Sequence, residues 1–187
     1  MTKKILIVVG SPREKGNSTL LAEQVAEGAR AGGAEVELFN LHKLMISPCN
    51  ACDACRQVGA KGCVINDDMQ MLYPKLTAAD AIVIASPIYW FSVSAQTKTF
   101  IDRFYGLGEH PNHALKGKKI GIILTYADAD PFISGAVNAI RMYQDMFKYI
   151  GAEIAGMVYG SAWKAGEIAV NKEVTEKAYE LGKTLAV

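Results

Sequence analysis

Five short apolar runs punctuate the chain at wide intervals: Ile5 to Val9, Val36 to Asn40, Ala81 to Ala85, Ile120 to Leu124 and Ile154 to Tyr159. Each is rich in β-branched residues and nearly continuous in hydrophobicity, where a half-exposed strand would alternate. Strands of that kind are covered on both faces. The segments between them supply the cover. Leu21, Val25 and Ala29 recur at helical spacing before Gly32 and Gly33, and Met142, Met146 and Ile150 do so before Gly151. Helices are also expected over Asp67 to Ala78, Phe100 to Tyr105 and Glu173 to Leu185. Strand and helix alternate from end to end. The pattern predicts an α/β chain with a doubly wound five-stranded parallel sheet, in the order 2-1-3-4-5, and helices on both faces.

At 187 residues, half of them hydrophobic, the chain suits a single domain over 1–187. Lysine and arginine number 20 against 19 aspartates and glutamates, a net charge of +1 that offers no field for a nucleic-acid backbone. The longest apolar runs hold about six residues, far below the roughly 20 that span a bilayer. The stretch after Lys3 and Lys4 is also too short for a signal-peptide core, so a cytoplasmic protein is expected.

The first predicted strand leads into "GSPREKGNST", Gly10 to Thr19, and then into a helix. A turn of that kind aims backbone N–H groups and a positive helix end at one point, which suits an anion. Ser11, Ser18 and Thr19 add hydroxyls, Asn17 an amide, Arg13 a fork of donors, and Gly16 a close backbone approach. The stretch is not a P-loop, because it has one residue too many between glycines and Asn17 where lysine belongs. It is not the G-x-G-x-x-G fingerprint either, since Ser11 and Pro12 follow Gly10. A phosphate held by hydroxyls and amides is the reading left, with Ser18 as a plain helix cap the simpler alternative.

The third predicted strand ends in "SPIYWFSVSAQTK", with Tyr89, Trp90 and Phe91 in succession. At the carboxyl end of a strand beside the first, these aromatics wall a flat ring system or pack an oligomer interface. Tyr126, after the fourth strand, reaches the same edge, while Asp128 and Asp130 are read as loop-capping groups.

"KILIVVGSPREKGNST", "DDMQMLYPKLTAADAIVIASPIYWFSVSAQTKTFIDRFYG" and "GEIAVNKEVTEKAYELGKTLA" together resemble the flavodoxin-like NAD(P)H-dependent FMN reductase family over nearly the whole chain. The resemblance implies that Ser11, Arg13, Asn17, Ser18 and Thr19 bind the FMN phosphate. It implies that Pro87, Ile88, Tyr89, Trp90 and Phe91 hold the ribityl chain and ring, while Asp102 and Arg103 fix their helix. It also implies NAD(P)H as co-substrate and a homodimer or homotetramer, with Tyr105, Phe132 and Tyr143 as candidate interface aromatics.

All four cysteines fall within "CNACDACRQVGAKGC", as C-x2-C-x2-C-x7-C: Cys49, Cys52, Cys55 and Cys63. They sit in a cysteine-rich insertion at 47–66, between the second strand and the next helix. Three cysteines in steps of three plus one more match the ligand run of a [4Fe–4S] cluster. Redox-active thiols and zinc stay open as alternatives. Within the family the arrangement is similar to that of the iron–sulfur flavoproteins, with a last gap of seven residues at the long end of that subgroup's compact motif. His42, His110 and His113 form no nucleophile or metal pattern. The chain is therefore expected to be an FMN-dependent oxidoreductase with an adjacent cluster, taking electrons from NAD(P)H or a ferredoxin-type donor. The acceptor would be a quinone, a metal ion, oxygen or another protein. A non-catalytic flavodoxin-like carrier and a flavin-free regulatory module are the alternatives.

Overall fold

Alternate residues of the first strand point to opposite sides of the sheet, and both sides are apolar, so two cores form. The computed structural model describes residues 2–109 and 111–187. The strands are β1 (Lys4–Val9), β2 (Glu35–Asn40), β3 (Ala81–Tyr89), β4 (Ser92–Val93), β5 (Lys119–Tyr126) and β6 (Glu153–Ser161). The helices are α1 (Asn17–Ala31), α2 (Met69–Ala78), α3 (Ala95–Asp102), α4 (Ala136–Ile150) and α5 (Lys172–Leu185). The sheet runs β2-β1-β3-β5-β6, all parallel, with β4 hairpinned antiparallel onto the end of β3. This is the flavodoxin-like order expected from the sequence, with the two-residue β4 added.

Ile5, Ile7 and Val9 join Val83, Ala85 and Ile123 against α1 and α5. Leu6 and Val8 join Ile82, Ile84, Ile122 and Leu124 against α2, α3 and α4. Each fully buried aliphatic side chain contributes about 1.5–3 kcal/mol. On the first face α1 and α5 come unusually close. A Cβ at Gly28 would strike the Tyr179 carbonyl, and one at Gly182 the Val25 carbonyl, so only glycine admits this approach.

Two expectations shift. Instead of starting at Phe100, the third helix begins at Ala95, because the Ser94 hydroxyl accepts the Thr97 N–H (3.3 Å) and caps it. Past Asp102 the backbone tightens into a 3₁₀ turn over Arg103–Leu107. Tyr143, a candidate interface aromatic, is instead fully buried, stacked on Phe147 with ring centroids 6.1 Å apart. Its place on the inner stripe of α4, with Ala139, Phe147 and Ile150, puts it in the core. Among the described residues no helix is long and apolar enough to cross a membrane.

Candidate functional site

The switch in strand order between β1 and β3 opens a crevice above their carboxyl ends, where two loops meet. The first follows β1. Its Arg13 carbonyl collects the Gly16 N–H (3.0 Å) and the hydroxyls of Ser11 (3.3 Å) and Thr19 (3.1 Å), which curls the chain around one point. Gly16 then starts α1 with no side-chain cap. Ser18, 1% exposed, keeps its hydroxyl buried with no hydrogen-bond partner. An orphaned hydroxyl beside an uncapped helix start is unfavourable unless an outside acceptor arrives.

The second loop follows β3 and is fastened to the first by buried hydroxyls. Ser94 Oγ donates to the Gly10 carbonyl (2.8 Å) and lies 2.9 Å from Thr97 Oγ1, while the Ser94 N–H donates to Ser86 Oγ (3.0 Å). All three hydroxyl residues are fully buried. Beyond Tyr89 the hairpin turns through Trp90 and Phe91, both at positive φ (47° and 63°). That left-handed pair costs about 1–2 kcal/mol per residue. It also leaves Trp90 93% exposed at the rim.

Between the loops lies a cavity of about 330 Å³, within the range of small-molecule sites. Of the residues expected from sequence, Ser11, Arg13, Asn17, Ser18, Pro87, Ile88, Tyr89 and Tyr126 line it. Thr19, Trp90 and Phe91 stand outside that lining. Thr19 is buried on the Arg13 carbonyl, and the other two form the hairpin turn. Tyr126 is buried, and that burial, followed by the nearby Tyr159 and Asp130, raises its pKa.

Thr125, beside the expected Tyr126, also lines the cavity, as do Ala162 and Trp163, which have no counterpart in the sequence reading. Trp163 is held there by a strut. Asn17 Nδ2 donates to the Ala162 (3.3 Å) and Lys164 (2.9 Å) carbonyls, and its Oδ1 accepts the Ile168 N–H (3.2 Å). The Glu167 carboxylate accepts the Lys164 (2.8 Å) and Trp163 (2.7 Å) N–H groups, which lower its pKa. The one sequence signal for Trp163 is its position just past the carboxyl end of the fifth apolar run.

Cys49, Cys52, Cys55 and Cys63 line a second, smaller hollow with Arg103, Tyr105 and Gly106. Cys49 and Cys52 are exposed and the other two half-buried, all as free thiols. Ala51 and Asp53 turn the loop at positive φ (55° and 53°). Tyr105 holds it from one side: its hydroxyl donates to Asp53 (3.1 Å), and the Arg56 guanidinium lies 3.7 Å over its ring. Burial raises the Cys55 thiol pKa, and the nearby Cys63 and Cys49 raise it further against the opposing pull of Arg56. Burial also pushes Cys63 up, but the Ile65 backbone, the Tyr73 hydroxyl and Arg103 outweigh it and lower its pKa overall.

Among the described residues no three thiol, carboxylate or imidazole groups stand close enough to form a ready metal site. The donor set is nevertheless chemically one-sided, four soft sulfurs around one hollow with a buried guanidinium behind them, which suits iron–sulfur or zinc chemistry. The two hollows share no lining residue. Helix α3 joins them: its start carries Ser94 and Thr97 under the first loop, and its 3₁₀ continuation lines the cysteine hollow. His113 lies in neither, buried with Nε2 on the Phe104 carbonyl (3.1 Å), and His110 falls outside the described residues.

An iron–sulfur flavoprotein of Archaeoglobus fulgidus is 34% identical over 98% of this chain and 79% of its own length. A putative NAD(P)H-dependent FMN-containing oxidoreductase of Bacillus subtilis is 26% identical over 96% of this chain and 97% of its own. The structure of an NAD(P)H:quinone oxidoreductase from Methanothermobacter marburgensis superposes with a TM-score of 0.75 at 17% identity, covering 99% and 98% of the two chains, a likeness of fold. The family of NADPH-dependent FMN reductases matches residues 3–162, from β1 to just past β6. The chain, with its uncapped first helix, its aromatic-rimmed crevice and this match, belongs to the NADPH-dependent FMN reductase family.

Proposed function

We propose that residues 1–187 act as one flavin-binding unit, with the insertion at 47–66 holding an iron–sulfur cluster through Cys49, Cys52, Cys55 and Cys63. The unit takes electrons from NAD(P)H or a ferredoxin-type donor and delivers them to a quinone, a metal ion, oxygen or a protein acceptor. The observation that carries the flavin site is the buried, partnerless Ser18 hydroxyl at the uncapped start of α1. With Ser11, Arg13 and the α1 backbone beside it, and Asn17 and Thr19 bracing the loop around it, this point would hold the FMN phosphate. Pro87, Ile88, Tyr89 and Tyr126 would flank the ribityl chain and ring, with Trp90 and Phe91 at the rim. Bound FMN supplies the redox chemistry, accepting a hydride as two electrons and releasing them singly or together. The protein's share is to orient the ring and exclude water, and no side-chain acid or base is required. The name of the Archaeoglobus relative supports the cluster. The exposed Trp90 and Phe132 support a homodimer or homotetramer.

Anaerobic purification with added FMN, followed by an absorbance spectrum and an iron and sulfide assay, tests both cofactors at once. Turnover of NAD(P)H with a quinone or ferric acceptor is the expected activity. Fast exchange with ferredoxin but no turnover with either nicotinamide would replace the reductase with a non-catalytic carrier.

A further inference from the structure

Arg103 is the bulkiest fully buried side chain among the described residues, and it is a cation. A buried charge needs a partner, and Asp67 provides one in a bidentate pair, Nη1 to Oδ2 at 2.5 Å and Nη2 to Oδ1 at 3.2 Å. Pairing alone would use only part of the guanidinium fork. The same two nitrogens also reach both ends of the cysteine loop: Nη1 donates to the Ser47 carbonyl (2.8 Å) and Nη2 to Cys63 Sγ (3.5 Å). Asp67 repeats the pattern, accepting the Ser47 N–H (2.8 Å) on one oxygen and the Met69 N–H at the start of α2 (3.0 Å) on the other. Gln70 fixes the chain on either side of Val64, donating to the Cys63 (2.8 Å) and Ile65 (2.7 Å) carbonyls. Tyr73 donates its hydroxyl to the Arg103 carbonyl (3.0 Å) and lies beside Cys63. Cys63, the cysteine set apart by the seven-residue gap, is thus the most firmly oriented of the four.

We propose that Arg103 is a positioning residue for the fourth thiolate, fixing Cys63 Sγ and, by giving that sulfur a charged donor, raising the reduction potential of the cluster it helps to hold. The physical reason is general. Reduction adds negative charge, and a cationic donor on a ligand sulfur stabilises the reduced form more than the oxidised one. The inference rests on the cluster reading above.

The test uses anaerobically purified holoprotein, with iron, sulfide and FMN contents, iron loss to a chelator, and a redox titration followed by electron paramagnetic resonance. Arg103→Lys keeps a charge for Asp67 but loses the planar fork that spans both loop ends. It is expected to lose iron about 10-fold more readily and to show a lower cluster midpoint, with FMN content unchanged. Tyr73→Phe removes the hydroxyl that holds the Arg103 carbonyl (3.0 Å) and so loosens the seat of the guanidinium without changing its charge, which decides the matter should Arg103→Lys fail to fold. It is expected to lower the midpoint in the same direction by less. A wild-type midpoint in both variants, with or without iron loss, would reduce Arg103 to a structural strut and overturn the inference. Wild-type protein free of iron and sulfide would instead overturn the cluster reading, and this inference with it.

Discussion

Ser18 and Tyr143 are two buried hydroxyls without partners, and their surroundings give them opposite meanings. Ser18 lines a cavity at a helix start, where the proposed FMN phosphate would supply its missing partner. Ser18→Ala should weaken FMN binding about 10-fold, or ~1.4 kcal/mol, read by quenching of flavin fluorescence, while leaving the apoprotein as stable as before. Tyr143 lies in a closed core against Phe147, where burial drives its pKa up and no ligand can enter. Tyr143→Phe removes a desolvated hydroxyl at constant shape. It should raise stability by about 1 kcal/mol, seen as a higher midpoint in thermal unfolding. A sequence shows which residues carry hydroxyls but not which hydroxyls go unpaired. Ser18 was therefore legible as a candidate and Tyr143 was misplaced at a surface.

At the scale of elements, periodicity read well and caps read poorly. Every apolar run became a strand of the parallel sheet, but only β1, β3 and β5 are covered on both faces; the edge strand β2 has no buried residue and β6 is largely half-buried, because no neighbour lies beyond them. Helix α3 was placed late because its first turn, Ala95 to Lys98, is polar, and its start is set by the Ser94 hydroxyl and not by an apolar stripe. Trp163 was missed because the loop carrying it is fixed by Asn17, some 145 residues earlier, a contact no local pattern announces. The turn past α3 has its own lock in His113, whose Nε2–H donates to the Phe104 carbonyl while Nδ1 accepts the Leu115 N–H (3.2 Å). That pairing requires the neutral ring, and burial lowers its pKa. The unfolded chain, with its ordinary histidine pKa near about 6.5, then binds a proton before the folded one does. This contribution to stability is full above that pH and is lost as pH falls through the lowered folded value. Urea midpoints for wild type and His113→Gln should therefore diverge at neutral pH and converge in mild acid.

Across the whole molecule, α3 sets the separation between the proposed flavin cavity and the cysteine hollow, since eight residues of helix rise about 12 Å. The sequence placed both features on the carboxyl side of the sheet, but it did not show that one helix supports them both. Nor did it show how close together the two ends of the cysteine loop lie. The loop leaves and re-enters the frame through a short stem, with Met45 N–H on Asp68 Oδ2 (2.7 Å), Asp68 N–H on the Met45 carbonyl (3.1 Å) and Ser47 N–H on Asp67. With its ends already in hydrogen-bonding contact, residues 48–66 can be replaced by a short glycine–serine turn. The excised protein should still bind FMN and melt within a few degrees of wild type, while retaining no iron. A loss of flavin on excision would contradict this. Such a stem makes the insertion a cassette: with the proposed cluster in it, a lineage would acquire or discard a one-electron centre in a single insertion or deletion event, without finding a new solution to the sheet beneath it.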